Sequence, residues 1–293
     1  MYLLLIRHGE SVDNVAGLYA GSRDSPLTNH GVLQAKRLGA YLAEQRASIG
    51  PIKLVFASNL KRAVRTAEAV AEAQQAVLQV VQLPGLREKD FGSSEGTKYG
   101  ARDYAGKLKP VVVQSDAESR DSMHIRINQF LDAHLDPVMK TYASDEVAVA
   151  IVSHGIILNV LFGALGKRYS VKAVPFALKA GSGAQPSQGV TWSNTGVMRI
   201  KVEPKKVTIS SPQTIRSIAA TSSNVGSTAL ADSHPAAVQL TIKDTNNVDH
   251  LQGLKKTRGG IGSAGSDSRQ RTIDSFFGSA TKKRKREEPE ARR

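Results

Sequence analysis

The 293-residue chain has no cysteine, which excludes both a disulfide framework and a thiolate metal site. Long apolar runs are missing too. None approaches the roughly 20 residues a membrane helix requires, so no membrane partner is expected. The apolar start is stopped by Arg7 after a few residues, and no basic region precedes it, which argues against a secretory leader. The chain reads as soluble and intracellular. Aromatic residues are scarce, at 5% of the sequence, although apolar content near the globular average permits a sizeable core. Acidic residues are outnumbered, with 26 Asp and Glu against 40 Lys and Arg, for a net charge of +14. Surplus positive charge favours anionic partners such as phosphorylated small molecules, nucleic acid or acidic protein faces, and does not choose among them.

Up to about residue 202, apolar β-rich runs alternate with helical patterns. Strands are expected at Leu3–Ile6, Lys53–Phe56, Val77–Val81 and Val147–Val152. Val190–Trp192 and Val197–Val202 read as a hairpin around Ser193-Asn194-Thr195-Gly196. Helices are expected at Gly31–Arg46, Leu60–Gln74, Ser119–Tyr142 and Ile156–Leu165, the first capped by Thr28. This alternation predicts an α/β fold, a mostly parallel sheet with helices on both faces. After Pro204 the composition turns to Ser, Thr, Asn, Gly, Lys and Ala, too sparse in apolar residues to offset the entropy of ordering the chain. Residues 1–205 are therefore read as one folded domain. Residues 206–293 are read as a disordered basic tail, with 15 Lys and Arg against 8 Asp and Glu. Val238–Ile242 is the one stretch of the tail patterned to dock as a short strand on the sheet edge.

Four segments place a reactive or cationic residue just past an expected strand. His8 follows the first, in Arg7-His8-Gly9-Glu10. Arg62 lies in the first turn of the helix after the second, Glu88 follows the third, and His154 closes the fourth. In a parallel sheet all four face the carboxyl edge, where open α/β sheets bind ligands. Taken singly, Arg62 reads as a solvated helix residue, Glu88 as one more surface charge and His154 as a satisfied core histidine. Taken together, in this order, they suit phosphoryl transfer. Two guanidinium forks can grip phosphate oxygens bidentately. A neutral imidazole nitrogen can attack phosphorus in line, and cationic neighbours keep it neutral. A second imidazole can donate to the equatorial oxygens, and a carboxylic acid can protonate the leaving oxygen. The scheme needs no metal or cofactor, and no metal-ligand spacing is found in the sequence.

These segments resemble the histidine phosphatase superfamily, in the branch that contains the cofactor-dependent phosphoglycerate mutases. Arg7-His8-Gly9-Glu10-Ser11 with Asn14 is similar to the opening signature. Gly21-Ser22-Arg23-Asp24-Ser25-Pro26-Leu27-Thr28 with Gly31, Gln34 and Ala35 is similar to the stretch that follows it. Ser58, Leu60, Arg62-Ala63 and Thr66-Ala67 match the second signature, and Ser153-His154-Gly155 the last. The resemblance covers residues 1–202. It implies that His8 is the phosphorylated nucleophile and that Arg7, Arg62 and His154 form the phosphate pocket. It further implies that Glu88 is the proton donor, that Asn14 contacts substrate, and that Gly21 and Ser22 join the substrate-binding set. The chain departs from the pattern at Ser94-Glu95-Gly96, where family phosphatases often have Trp-Glu-Gly. The spacing from Glu88 to His154 is too short for the long insert of the glycolytic mutases, which favours a phosphatase over a mutase. The polar, basic segment Lys98–Lys109 is placed at the pocket mouth. There Lys98, Arg102 and Lys107 could grip a polyphosphorylated substrate, although a solvated loop is the favoured reading.

The tail carries two further signals. Phe276 and Phe277 are the only Phe, Trp or Tyr residues after Trp192, and disordered chains rarely keep such a pair without a use for it. Gln270, Ile273, Phe276 and Phe277 form a short peptide able to turn once and fill an apolar pocket. It resembles the PCNA-interacting motif, which implies the DNA sliding clamp as a partner. The competing reading has the aromatic pair docking on the protein's own domain. Lys282-Lys283-Arg284-Lys285-Arg286 reads as a signal for an import receptor, which implies a nuclear location, with a cytoplasmic pool also compatible. Direct nucleic-acid contact by the basic tail and a clamp-bound adaptor with a vestigial phosphatase fold are the remaining alternatives. A flexible tether of roughly 65 residues from domain to motif is expected to span on the order of 45 Å.

Overall fold

Tyr2-Leu3-Leu4-Leu5-Ile6 lacks the polar alternation of a half-exposed strand, as expected when both sheet faces are covered. A computed structural model describes residues 1–74, 76–99, 116–173, 189–205, 238–256 and 260–266. Among these residues the strands are β1 (Tyr2–Arg7), β2 (Ile52–Ala57), β3 (Val80–Gln82), β4 (Ala148–Ser153), β5 (Ser170–Ala173), β6 (Val197–Pro204) and β7 (Val238–Asn247). The helices are α1 (Val12–Ala16), α2 (Asn29–Glu44), α3 (Arg46–Ile49), α4 (Lys61–Glu72), α5 (Arg120–Phe130), α6 (Asp136–Tyr142), α7 (Gly155–Arg168) and α8 (Gly260–Ser263).

The described strands form one sheet in the order β3-β2-β4-β1-β6-β7-β5. β1, β2, β3 and β4 pair in parallel, and β6 runs antiparallel to both β1 and β7. Alternation along β1 divides the core. Leu3 and Leu5 pack with Phe130, Leu131 and Leu161 on the α5–α7 side, while Leu4 and Ile6 pack with Leu38, Leu42 and Val70 on the α2–α4 side. The mostly parallel, doubly covered sheet is thus the one the alternation predicts.

Several sequence expectations are corrected. Val190–Trp192 is not a strand, and no hairpin forms around Ser193–Gly196. Both backbone polar groups of Val190 are bonded to the side chain of Asn159 on α7, and β6 finds its partners in β1 and β7 instead. β3 is confined to Val80–Gln82, and Val77 is fully exposed. The helix expected over Ser119–Tyr142 contains a π-helical turn at Leu131–Leu135. Pro137, at the start of α6, has no N–H to continue the ladder.

The largest correction concerns the boundary at residue 205. β7 is an interior strand between β6 and β5, not an edge ornament, and Leu240 is fully buried in the core. Its alternation of Val238, Leu240 and Ile242 is short, and its pairing with β6 is non-local, so local composition outweighed it. Beyond β7 the chain stays attached to the domain. Arg37 donates to the carbonyl of Gln252 at 2.9 Å, and Lys256 pairs with Glu10 at 2.9 Å. The N–H of Asn29 reaches the carbonyl of Ala264, and the N–H of Ser266 that of Leu27. Residues 267–293, with Gln270, Ile273, Phe276, Phe277 and the basic run Lys282–Arg286, lie outside the described residues. Only three residues, 267–269, therefore separate Ser266 from Gln270, at most about 14 Å of extended chain.

If β7 is part of the core, Leu240→Ala lowers the free energy of unfolding by about 2–5 kcal/mol. Urea titration checks this; a change within error would return the segment to the tail.

Candidate active site

The carboxyl ends of the central strands bring the reactive residues together. His8 follows β1, and its N–H donates to the carbonyl of Ser153 at the end of β4. His154 is the N-cap of α7. Arg62 sits at the second position of α4, whose first N–H, that of Lys61, is capped by Asp24 at 2.6 Å. Glu88 leaves the turn Pro84–Leu86, which Ser153 anchors by donating its hydroxyl to the carbonyl of Leu86 at 2.7 Å. Arg126 of α5 holds the same segment, donating to the carbonyls of Gly85 and Arg87 at 2.7 Å while paired with Glu118 at 2.8 Å.

His8, Arg62 and His154 are all buried, at 3%, 1% and 1% exposure, so this cluster has been taken almost wholly from water. The Nε–H of Arg62 lies 3.3 Å from His8 Nε2 and 3.2 Å from His154 Nδ1, shared between the two rings. Both nitrogens must therefore present lone pairs. His8 Nδ1 lies 2.7 Å from the carbonyl of Gly9; a carbonyl only accepts, so the ring proton of His8 is on Nδ1. His154 correspondingly carries its proton on Nε2. Burial, then Arg62, then Arg7 for His8, and burial, Arg62, His8 and Arg7 for His154, hold both rings well below the ordinary histidine range. Arg62 is itself pushed down to about 10 by burial, with Glu88, Asp13 and Asp24 opposing the shift.

The aim of Arg62 is fixed by backbone. Its terminal nitrogens donate to the carbonyls of Arg23 at 2.6 Å and Gly21 at 2.7 Å. Gly21 has φ +48, and a Cβ there would lie 2.0 Å from Glu95 Oε1, so glycine is needed at this turn. Arg7 donates to the carbonyl of Trp192 at 2.6 Å. Arg7 Nε and His154 Nε2 are buried donors without a partner among the described residues. Leaving such groups unmet costs about 1–3 kcal/mol each, and an oxyanion would satisfy them. The carboxylate of Glu88 accepts from the N–H groups of Lys89, Ile156 and Ile157 at 3.0–3.1 Å, capping α7, and its charge opposes the downward shift that burial imposes on both Arg7 and Arg62.

The structure thus gathers Arg7, His8, Arg62, Glu88 and His154 at one sheet edge. Of the two guanidinium forks expected, that of Arg62 has its Nε–H on the histidines and both terminal nitrogens on backbone carbonyls, whereas Arg7 uses Nη1 on the carbonyl of Trp192 and leaves Nε unpaired among the described residues. Asn14 Oδ1 accepts from the N–H of Ser11 at 3.2 Å and from Asn194 Nδ2 at 3.1 Å, so it braces the site. Ser22 gives its N–H and hydroxyl to Glu95 at 2.6 and 3.1 Å. Lys98 is exposed on the strand-like bridge to Leu18, while Arg102 and Lys107 lie outside the described residues. Sequence reasoning missed Arg126, Asn194 and Thr195. Asn194 Nδ2 and the N–H of Thr195 both reach the carbonyl of His8 at 3.2 Å. The available signal was a polar Ser-Asn-Thr-Gly run immediately before an apolar strand.

A buried neutral imidazole between two arginines and unpaired N–H donors, at the carboxyl edge of an α/β sheet, is a site built for a phosphoryl group. Residues 3–182 match the histidine phosphatase superfamily (branch 1), and the chain belongs to that superfamily as a hydrolase of the phosphatase type. It is 30% identical over 274 residues to a probable phosphatase of Schizosaccharomyces pombe, covering 93% of this chain and 78% of the relative, a span that includes β7. It is 34% identical over 173 residues to an adenosylcobalamin/alpha-ribazole phosphatase of Salmonella typhimurium, covering 56% of this chain and 79% of the relative. Among solved structures, the Mycobacterial hydrolase 2 shares the fold, with a TM-score of 0.55 at 21% identity over 84% of this chain and 90% of that one.

The depressed histidines have a consequence for stability. Below about pH 6.5 the unfolded chain takes up protons at His8 and His154 that the folded protein refuses. Stability therefore falls as the pH drops through that value, by up to about 1.4 kcal/mol per pH unit for each ring, and is insensitive to these groups above it. Urea titrations from pH 8 to 5 are expected to show this slope, and a His8→Gln, His154→Gln double variant to flatten it. Parallel slopes in the two proteins would contradict the assignment.

Proposed function

We propose that the protein hydrolyses a phosphomonoester without a metal, through a phosphohistidine on His8. The observation that carries this reading is the shared Arg62 Nε–H. It requires a lone pair on His8 Nε2, the nitrogen that faces the cationic pocket. In the first step Nε2 attacks phosphorus in line, the P–O bond to the substrate breaks, and Glu88 gives a proton to the departing oxygen. In the second, Glu88 takes a proton from water as that water attacks phosphorus, releasing inorganic phosphate and restoring His8. Arg7, Arg62 and His154 Nε2 supply the donors for the phosphoryl oxygens, where fixed dipoles and charges stabilise developing charge most effectively. Asn14, Gly21 and Ser22 line the substrate side.

The substrate is proposed to be a phosphorylated small molecule, as for the Salmonella typhimurium relative, whose name specifies adenosylcobalamin/alpha-ribazole phosphatase. His8→Ala is expected to abolish phosphate release from p-nitrophenyl phosphate, and Glu88→Gln to lower kcat by about 10²–10⁴-fold. Full activity in His8→Ala would overturn the mechanism, whereas a wild-type protein without turnover would favour the adaptor reading.

The tail is proposed to add a location. Gln270, Ile273, Phe276 and Phe277 would dock on the DNA sliding clamp, and Lys282–Arg286 would engage an import receptor, placing the enzyme in the nucleus. The support is the motif itself, together with its attachment four residues beyond Ser266, which holds a docked clamp against the catalytic domain, not at the end of a long tether. Phe276→Ala combined with Phe277→Ala is expected to lose pull-down by purified PCNA while phosphatase activity is retained. Equal capture of the variant, or none of the wild type, would end this part of the reading.

A further inference from the structure

Behind the nucleophile lies a layer of contacts that the phosphoryl chemistry does not use. The peptide unit joining His8 to Gly9 is held from both edges. Its carbonyl accepts from the N–H of Thr195 and from Asn194 Nδ2, each at 3.2 Å. Its N–H donates to Thr66 Oγ1 at 3.0 Å, and Thr66 is fixed on α4 by its own bond to the carbonyl of Arg62 at 2.7 Å. The next carbonyl along, that of Gly9, receives the ring proton of His8. The tilt of this one peptide plane therefore sets where the ring points.

The loop that grips the carbonyl side is under strain. Thr195 is fully buried with φ +56, a left-handed conformation that β-branched residues rarely adopt. What holds it there comes from the far end of the chain. Asn246 of β7 accepts the N–H of Ser193 at 2.7 Å and donates to the hydroxyl of Ser193 at 3.1 Å. His250, in the 3₁₀ turn Asp249–Leu251 that follows β7, lies with Nε2 2.8 Å from Thr195 Oγ1. Thr195 spends its hydroxyl proton on the carbonyl of Asn194 at 2.7 Å, so its oxygen accepts and His250 donates. Burial pushes His250 down to about 4, which keeps the ring in its neutral form. It is 7% exposed, and its ring lies 5.8 Å from that of Tyr41 on α2, so it is packed in place.

We propose that the segment Asn246–His250 is a latch on the active site, with His250 and Asn246 as positioning residues. They hold the Ser193–Gly196 loop, and the loop holds the carbonyl of His8. The proposal rests on the reading of His8 as nucleophile. It gives the C-terminal strand a catalytic consequence: residues remote from the phosphate set the aim of the attacking nitrogen. A displacement of about 1 Å at such a nitrogen can cost on the order of 10²-fold in rate.

The test uses the full chain, p-nitrophenyl phosphate as the probe, and three variants. His250→Phe fills the ring's volume without the donor. His250→Gln carries an amide N–H to the position of Nε2. Asn246→Gly removes both bonds to Ser193 at a residue whose φ of +49 glycine adopts without strain. His250→Phe and Asn246→Gly are expected to lower kcat by roughly 10- to 100-fold with KM changed by less than about twofold, since the phosphate donors stay in place. His250→Gln is expected to recover most of the loss. Folded His250→Phe and Asn246→Gly proteins with wild-type kcat would overturn the latch, as would His250→Gln as slow as His250→Phe. Should the His250 variants fail to fold, Asn246→Gly decides alone. A wild-type protein without turnover would instead sink the phosphatase reading, a separate and recognisable failure.

Discussion

One N–H governs the site. The Nε–H of Arg62 cannot satisfy two imidazoles unless both turn a lone pair toward it, and it lies 3.3 Å from His8 and 3.2 Å from His154. That sharing fixes both tautomers at once. The bond from His8 Nδ1 to the Gly9 carbonyl follows from it, and so does the donor at His154 Nε2, which has no partner among the described residues. A protonated His8 would set N–H against N–H beside a buried guanidinium, with Arg7 adding to the repulsion. The fold keeps His8 neutral by geometry as much as by charge.

Around that contact the protein spends its backbone polar groups on aim. The carbonyls of Gly21 and Arg23 orient Arg62, and the carbonyl of Trp192 orients Arg7. Glu88 is held at the start of α7 by the N–H groups of Ile156 and Ile157. None of these bonds touches a phosphoryl oxygen, yet each decides whether a charged group faces the right way. Preorganisation of this kind is what makes fixed donors effective in a site removed from water.

The residues legible in the sequence share one property. His8, Glu88 and His154 each interrupt or follow an apolar run, and Arg62 opens a helix, so parallel topology alone brings them to one edge. What stayed hidden was polar and non-local. Asn194 and Thr195 have the composition of any turn, and only the structure shows their bonds reaching His8. β7 was obscured because Leu240 and Ile242 stand in a Ser-, Thr- and Asn-rich stretch, and because its partner β6 lies across residues 206–237. Val190–Trp192 erred the other way: its β-rich residues suggest a strand, but the side chain of Asn159 claims the backbone groups a strand would use.

The central claim concerns protons on ring nitrogens, and ring ¹⁵N chemical shifts of His8 and His154 across pH 8 to 5.5 report them directly. The account predicts that both rings stay neutral over this range, with the proton on Nδ1 of His8 and on Nε2 of His154. Titration of either ring near the ordinary value of about 6.5, or a proton found on Nε2 of His8, would contradict it.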